Sequence, residues 1–139
     1  MTADDQLAVL RRGVVATYPE DGLREALKST RPLRVKLGMG RFLDGKASAV
    51  VGSHTHVQTA DEVVLPGGTA CLTDAGMCGP IDSILGVRTD QVLRRFLTQM
   101  PVRFDVAAGP VVVHGAMIVI DEGTGRATSI ARVREQVDA

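Results

Sequence analysis

The sequence has few aromatic residues: one Tyr, three Phe and no Trp among 139 residues. Its core must therefore be built from Val, Leu, Ile, Ala and Met, within the usual balance for a globular protein of 45% hydrophobic and 23% charged residues. A surplus of positive charge is also missing, since 16 Lys and Arg balance 16 Asp and Glu. We therefore expect no nucleic-acid partner, because such affinity depends on a basic surface.

Long apolar segments are absent too, because no run approaches the roughly 20 apolar residues that span a bilayer. The acidic start, Met1 to Asp5, is unlike the basic and then apolar head of a signal peptide. Cys71 and Cys78 match neither a C-x-x-C motif nor a zinc ribbon. We expect a cytoplasmic protein without a membrane partner, whose cysteines are small buried hydrophobic residues rather than a disulfide.

The first 38 residues predict two helices and one strand. Thr2 suits a helix cap and Pro19 suits the first turn of a second helix. The apolar stripes of these helices comprise Leu7, Leu10, Val14, Leu23 and Leu27. The alternation of apolar and charged residues over Leu33–Leu37 predicts a strand with one buried face. Composition changes between Leu37 and Met39, which marks the one candidate boundary.

From Met39 onward the pattern is mainly that of β-strands. After the end of a helix at residues 40–45, the predicted strands are residues 47–52, 62–65, 69–73, 103–106, 110–120 and 127–133. The second and third of these form a hairpin, and residues 74–86 form a structured loop. Thr89 caps a helix over residues 89–100, with an apolar stripe of Val92, Leu93, Phe96, Leu97 and Met100. The predicted fold class is α+β, with α/β-like features.

The best chemical signal is the run Gly52-Ser53-His54-Thr55-His56 at the end of an apolar strand. Ligand sites gather at the strand ends of α/β sheets, and two His separated by one residue can offer two neutral imidazoles to a metal. The H-x-H pattern alone leaves a structural role open. His114 lies inside a predicted strand, and we interpret it as a β-sheet residue.

Five segments carry a resemblance to a known family: FLDGKASAVVGSHTHVQTAD at 42–61, LPGGTA at 65–70, TDAGMCGP at 73–80, VLRRFL at 92–97 and DEGTG at 121–125. They are very similar to bacterial calcineurin-like metallophosphoesterases that act on 2′,3′-cyclic nucleotides. The resemblance implies a binuclear centre of manganese or iron whose bridging water becomes the nucleophile. By motif, His54 and His56 are metal ligands, one for each ion.

The resemblance also implies that the remaining ligands and the catalytic His precede the segment that matches Met39. We expect this chain to lack them, so no residue is assigned a catalytic role. Asp61, Asp74 and Asp82 lie near the histidines in sequence, and we interpret them as turn and loop residues. The only expected cofactor is a divalent ion, Mn, Fe or Zn, at His54 and His56.

Residues 1–38 have a resemblance of their own, through QLAVLRRGVV at 6–15, PEDGL at 19–23 and RPLRVKLG at 31–38. These segments look like the start of bacterial tyrosyl-tRNA synthetases, without the nucleotide-binding motifs that follow there. The sequence thus predicts a chimera: a synthetase-like leader with one strand at 1–38 and a C-terminal phosphoesterase fragment at 39–139, folded as one composite unit.

The expected architecture has leader helices and one strand packed on a β-rich partial metallophosphoesterase sandwich. Such a sandwich leaves strand edges and an apolar face open, so we expect a homo-oligomer that covers them. For function, we expect a chimera descended from a metal-dependent cyclic-nucleotide phosphodiesterase, without catalysis of its own. The alternative is a phosphodiesterase or phosphatase with a site rebuilt around His54 and His56 or across an oligomer.

Overall fold

The structure is a computed structural model that describes residues 32–138. Its elements are α1 Pro32–Phe42, β1 Ala49–Val51, β2 Val63–Val64, β3 Ala70–Leu72, β4 Gly79–Pro80, α2 Thr89–Thr98, β5 Val111–Ile120 and β6 Ala127–Val137. This mixture of helices and small sheets confirms the α+β class. The two helices predicted within residues 2–27 lie outside the described residues.

The strands form two three-stranded sheets. In the first sheet β3 lies between β1 and β2, parallel to β1 and antiparallel to β2, which confirms the predicted hairpin. The second sheet has the order β4-β5-β6, with antiparallel pairing throughout. The β5–β6 pairing runs from Val111 and Val137 to Ile120 and Ala127, so β6 continues past its predicted end at Val133.

The two sheets pack against each other through small side chains. The core cluster comprises the buried Ala49, Ala70 and Ala127, with Val64, Ile118 and Ile130 packed against them. Two hydrogen bonds also connect the sheets: the Ala127 N–H donates to the Gly68 carbonyl at 2.7 Å, and the Ser48 hydroxyl donates to the Gly125 carbonyl at 2.7 Å. Small facing residues let the backbones approach closely enough for these bonds to form.

The strand predicted at Leu33–Leu37 is wrong, because these residues belong to helix α1. Five alternating residues fit the period of two that a strand shows. In the structure, however, the less exposed residues are Lys36, Met39, Gly40 and Leu43, which have the spacing of one face of a helix. Pro at the first helical position also suits a helix start. Helix α1 runs through Gly38 and Met39, and its end at Phe42 confirms the helix end predicted near residues 40–45.

The strand predicted at residues 103–106 is also wrong, since only Val106 pairs, in a single bridge with Val87. The reason lies in α2, because its Gln91 side chain forms hydrogen bonds with both the backbone and the carboxylate of Asp105. Its amide donates to an Asp105 carboxylate oxygen at 2.7 Å and its oxygen accepts the Asp105 N–H at 2.7 Å. These bonds hold the segment against the helix instead of a neighbouring strand.

Helix α2 is present, but its predicted cap is wrong. Thr89 is its first helical residue, while Arg88 holds the cap position without a side-chain capping bond. Of the predicted apolar stripe only Val92 is buried. The exposed members are Leu93, Phe96, Leu97 and Met100, at 48%, 70%, 85% and 64% exposure. Neither helix of the described range is long and apolar enough to cross a membrane.

Both cysteines are free thiols, as predicted. Their predicted burial holds only in part, because Cys71 is half-buried and Cys78 is exposed. The Cys71 sulfur lies beneath α1, where a Cβ added at Gly40 would sit 3.0 Å from it. Burial raises the pKa of the Cys71 thiol. Cys78 lies just before β4, outside the core cluster.

Candidate metal-binding loop

The two histidines predicted from the sequence lie on the loop that follows β1. Gly52 begins this loop: its N–H donates to the Leu72 carbonyl at 2.8 Å and its carbonyl accepts the Ala75 N–H at 2.9 Å. His54 and His56 follow with exposed side chains. Two residues of chain separate their Cα atoms by at most about 7 Å. The predicted location is confirmed, and the role of these residues as metal ligands stays a prediction.

The backbone is unusual at both histidines. His54 has φ 153° and His56 has φ 64°, values that residues with a Cβ rarely adopt. Such conformations cost on the order of 1–3 kcal/mol each and cluster at functional sites. Other contacts must therefore hold this loop in place.

The main contact is the carboxylate of Asp74, which is fully buried at the end of β3. One of its oxygens accepts both the Thr55 N–H at 2.7 Å and the Thr55 hydroxyl at 2.8 Å, and the other accepts the Gly76 N–H at 3.0 Å. Burial alone would raise the pKa of Asp74, but these hydrogen bonds and nearby Lys36 lower it overall. Asp74 is therefore an ionised anchor for the residue between the histidines.

Lys36 supplies the matching positive charge from α1. Its ammonium donates to the Ser53 carbonyl at 2.9 Å and to the Thr73 carbonyl at 3.1 Å, and lies 3.5 Å from the Asp74 carboxylate. The Lys36 side chain is only 14% exposed. Sequence reasoning missed this role because Lys36 was placed on a strand.

A second carboxylate holds the far end of the loop. Asp61 accepts the Thr59 hydroxyl at 2.6 Å, the Thr73 N–H at 3.2 Å and also the Thr73 hydroxyl. Burial opposes ionisation, but the bonds from Thr59 and Thr73 bring the pKa of Asp61 below its ordinary value. The Gln58 amide ties the loop to the second sheet, at 3.0 Å from both the Gly115 and Val133 carbonyls.

These contacts test whether nearby acids complete a metal site. The carboxylates of Asp61 and Asp74 accept hydrogen bonds from the loop and from the end of β3, and Asp82 is exposed between β4 and α2. Between residues 32 and 138, no three His, Cys, Asp or Glu side chains come together to hold an ion. The turn and loop interpretation of Asp61 and Asp74 is confirmed, and the two imidazoles fit only part of a metal centre.

His114 is a β-sheet residue, as predicted. It lies on β5, with its Nδ1 atom 2.9 Å from the Met77 carbonyl oxygen. This contact explains its position without a ligand.

A family model described as "YmdB-like protein" matches residues 34–133. The chain belongs to the YmdB-like family. The relatives of this YmdB-like chain include the 2′,3′-cyclic-nucleotide 2′-phosphodiesterase of Bacillus subtilis, which is 53% identical over 98 residues. That alignment covers 70% of this chain and 37% of the enzyme. The predicted resemblance to bacterial phosphodiesterases is thereby confirmed.

Two solved structures resemble this YmdB-like chain. A crystal structure of a Thermus thermophilus protein has a TM-score of 0.67 at 40% identity, over 73% of this chain and 39% of the other. A Mycoplasma pneumoniae phosphatase has a TM-score of 0.69 at 31% identity, over 74% and 37%. The chain therefore spans less than two fifths of the length of each of these relatives. The family match lies within residues 34–133, and the synthetase-like resemblance of residues 1–38 stays a prediction.

Proposed function

We propose that this chain supplies a pair of imidazoles, from His54 and His56, to a divalent-metal centre for phosphodiester hydrolysis. The main observation behind the proposal is the conformation of the loop. His54 and His56 are exposed and have positive φ, and the buried Asp74 carboxylate accepts a hydrogen bond from Thr55 between them. Of the expected ions, neutral imidazole suits Fe and Zn best. The phosphodiesterase relative supports the reaction class.

The same geometry supports the absence of autonomous turnover. A centre of two divalent ions needs carboxylates to offset its charge, and the two nearest acids serve the loop. A bound ion would polarise a phosphoryl oxygen and lower the pKa of its water. His54 and His56 would hold part of that ion's coordination shell, and further ligands must come from outside the described residues or from a second polypeptide.

The activity test uses bis-p-nitrophenyl phosphate and 2′,3′-cyclic AMP with added manganese. We expect the chain and a His54→Ala/His56→Ala double variant to give the same background rate, because an incomplete ligand set cannot hold the reacting ions. Release of nitrophenol or of adenosine monophosphate is measured against a metal-free blank. Turnover that the double variant abolishes would contradict this expectation and establish the alternative, a rebuilt phosphodiesterase or phosphatase site.

The second part of the proposal is a homo-oligomer. The resemblance to metallophosphoesterases implies that the two sheets would belong to a two-layered β structure, which here leaves apolar surface open. The surface that fits a second copy is the exposed stripe of α2, spaced i, i+3 and i+4, with exposed Met100 just past the helix end: Leu93, Phe96, Leu97 and Met100. The zero net charge of the chain adds no repulsion between two copies.

We expect a Leu97→Glu variant to shift the chain from dimer to monomer in light scattering at about 50 μM, because a carboxylate would enter the centre of the apolar contact. Leu37→Glu is the matched control. Leu37 is also an exposed helical leucine, 51% exposed on α1, and its change should leave the mass unaltered. A wild-type chain that stays monomeric at that concentration would sink the proposal.

The remaining parts concern origin and location. We infer that the chain is a fusion of a synthetase-like leader at 1–38 and a phosphodiesterase-family region at 39–139; the family match covers residues 34–133 and overlaps the end of that leader. Since α1 continues across Gly38 and Met39, a junction at that boundary would lie within a helix. Two free thiols, Cys71 and Cys78, are consistent with the proposed cytoplasmic location.

A further inference from the structure

The Asp74 carboxylate is bonded to Thr55, the residue between the two histidines. We propose that it is a positioning residue that acts through Thr55: by fixing the residue between His54 and His56, it sets the direction of both imidazoles toward a divalent ion. This inference rests on the proposed metal role of the histidines. Asp74 itself does not touch the ion, because its carboxylate is buried and accepts bonds from the loop.

The geometry restrains Thr55 at two points. Its N–H and its hydroxyl both donate to one Asp74 oxygen, at 2.7 and 2.8 Å, while the second oxygen holds Gly76 at 3.0 Å. A residue fixed through both backbone and side chain cannot rotate freely, so its neighbours inherit a defined orientation. His54 and His56 are the residues with positive φ on either side.

A purely structural explanation is that Asp74 only closes a loop. Asp121 provides the comparison, since it also accepts an N–H and a hydroxyl from one threonine, Thr124, both at 2.7 Å. The residues on either side of Thr124 are Gly123 and Gly125, and the positive φ of 69° falls on Gly125, where it causes no strain. Around Thr55 the strain instead falls on two histidines. A loop that needed only to turn would be better served by glycine there.

Lys36 completes the arrangement. A buried carboxylate needs a compensating charge and donors for its lone pairs, and the Lys36 ammonium is 3.5 Å from Asp74 while it also donates to the Ser53 carbonyl. The ammonium thus holds the residue before His54, and the carboxylate holds the residue after it. The residues on both sides of the first histidine are therefore held, one by a half-buried ammonium and the other by a buried carboxylate.

The test uses Thr55→Val, because removing Asp74 puts folding at risk. Valine keeps the shape and the N–H bond of Thr55 but loses its hydroxyl, which bonds Asp74 at 2.8 Å and also contacts the Val57 backbone at 3.1 and 3.4 Å. We expect zinc binding, measured by calorimetry, to weaken about tenfold, as is usual when a group that orients a ligand is lost. Losing one hydrogen bond to a buried carboxylate should lower the thermal midpoint modestly, so zinc binding is compared at a temperature at which both proteins are folded. Thr55→Ser, which restores the hydroxyl, should recover the affinity.

Thr124→Val is the matched control, because it removes the equivalent hydroxyl bond to Asp121 in another turn. Zinc affinity should stay at the wild-type value in this control. Equal affinity of Thr55→Val and wild type overturns the inference, and so does an equal loss in both valine variants.

A second readout separates this inference from the metal proposal. If the wild type gives no heat with zinc, the metal proposal fails, and the metal-free protein then decides the positioning role. The imidazole carbon–proton signals of His54 and His56 in nuclear magnetic resonance should be distinct in wild type. They should move toward the positions of an unstructured peptide in Thr55→Val. Unchanged signals overturn the inference.

Discussion

Replacement of Gly52 by alanine is expected to lower the free energy of unfolding by about 3–5 kcal/mol, the sum of overpacking and damaged hydrogen bonds. A Cβ at Gly52 would overlap the Thr73 carbonyl oxygen and lie 3.0 Å from its carbon and 3.3 Å from Lys36 Cδ. Thr73 directly follows β3, and its backbone cannot rotate away as a side chain can. The pairing of β1 with β3 must open instead.

Urea unfolding at neutral pH measures this effect, and Gly115→Ala is the matched control. Gly115 is a glycine inside β5, and a Cβ there meets nothing within 4 Å. That variant should be neutral or slightly more stable, because alanine restricts the unfolded chain. Equal stability of the two variants would show that the β1–β3 contact at Gly52 is looser than the structure indicates. The result also matters for the candidate site, since Gly52 begins the loop of His54 and His56.

The sequence predicted the two antiparallel strand pairs because their signals were local. The β2–β3 hairpin and the β5–β6 pair each consist of two strand-like segments around a glycine-containing turn, at Gly67-Gly68 and at Gly123 to Gly125. The strand predicted at Leu33–Leu37 failed because five residues are too few to separate a period of two from a period of 3.6. Gly38 and Gly40, which weaken helix propensity, also favoured that choice.

The two candidate ligands of the site were predictable from the sequence, but the residues that hold their loop in place were not. His54 and His56 follow an apolar strand in a recognisable motif, so their location could be read from the chain. The contacts of Asp74 with Thr55 and with Lys36 join residues separated by up to 38 positions. Such contacts depend on how β1, β3 and α1 pack. Asp74 resembled any loop aspartate until its burial was known.

Asp74→Asn is expected to lower the free energy of unfolding by about 2–4 kcal/mol near neutral pH, since a buried charge pair and hydrogen bonds are broken together. Both Asp74 oxygens accept hydrogen bonds, from Thr55 and Gly76. An asparagine offers only one oxygen, so its NH₂ group must face a donor in one of the two directions. Lys36 also loses the carboxylate that balances its charge.

The pH dependence distinguishes the lost charge from a change of shape. The pKa of Asp74 in the folded protein is lowered from 3.8, so the unfolded chain binds this proton more readily. The stability contributed by the ionised carboxylate is therefore full above the unfolded-state pKa and is lost as the pH falls through the folded-state pKa. The amide of the Asp74→Asn variant carries no such proton, so the gap between wild type and variant should narrow at acidic pH. Asp61 titrates in both proteins and cancels in the comparison.

Urea unfolding at about pH 7 and about pH 3 measures the gap. Asp121→Asn is the matched control, because one Asp121 oxygen accepts both bonds from Thr124 and an asparagine oxygen can replace it. That variant should unfold much like the wild type at neutral pH. A gap for Asp74→Asn that stays constant between the two pH values would mean that the charge of Asp74 contributes nothing. The conformation of the histidine loop would then depend only on the shape of the Asp74 side chain, and Lys36 would keep its half-buried position without an anionic partner.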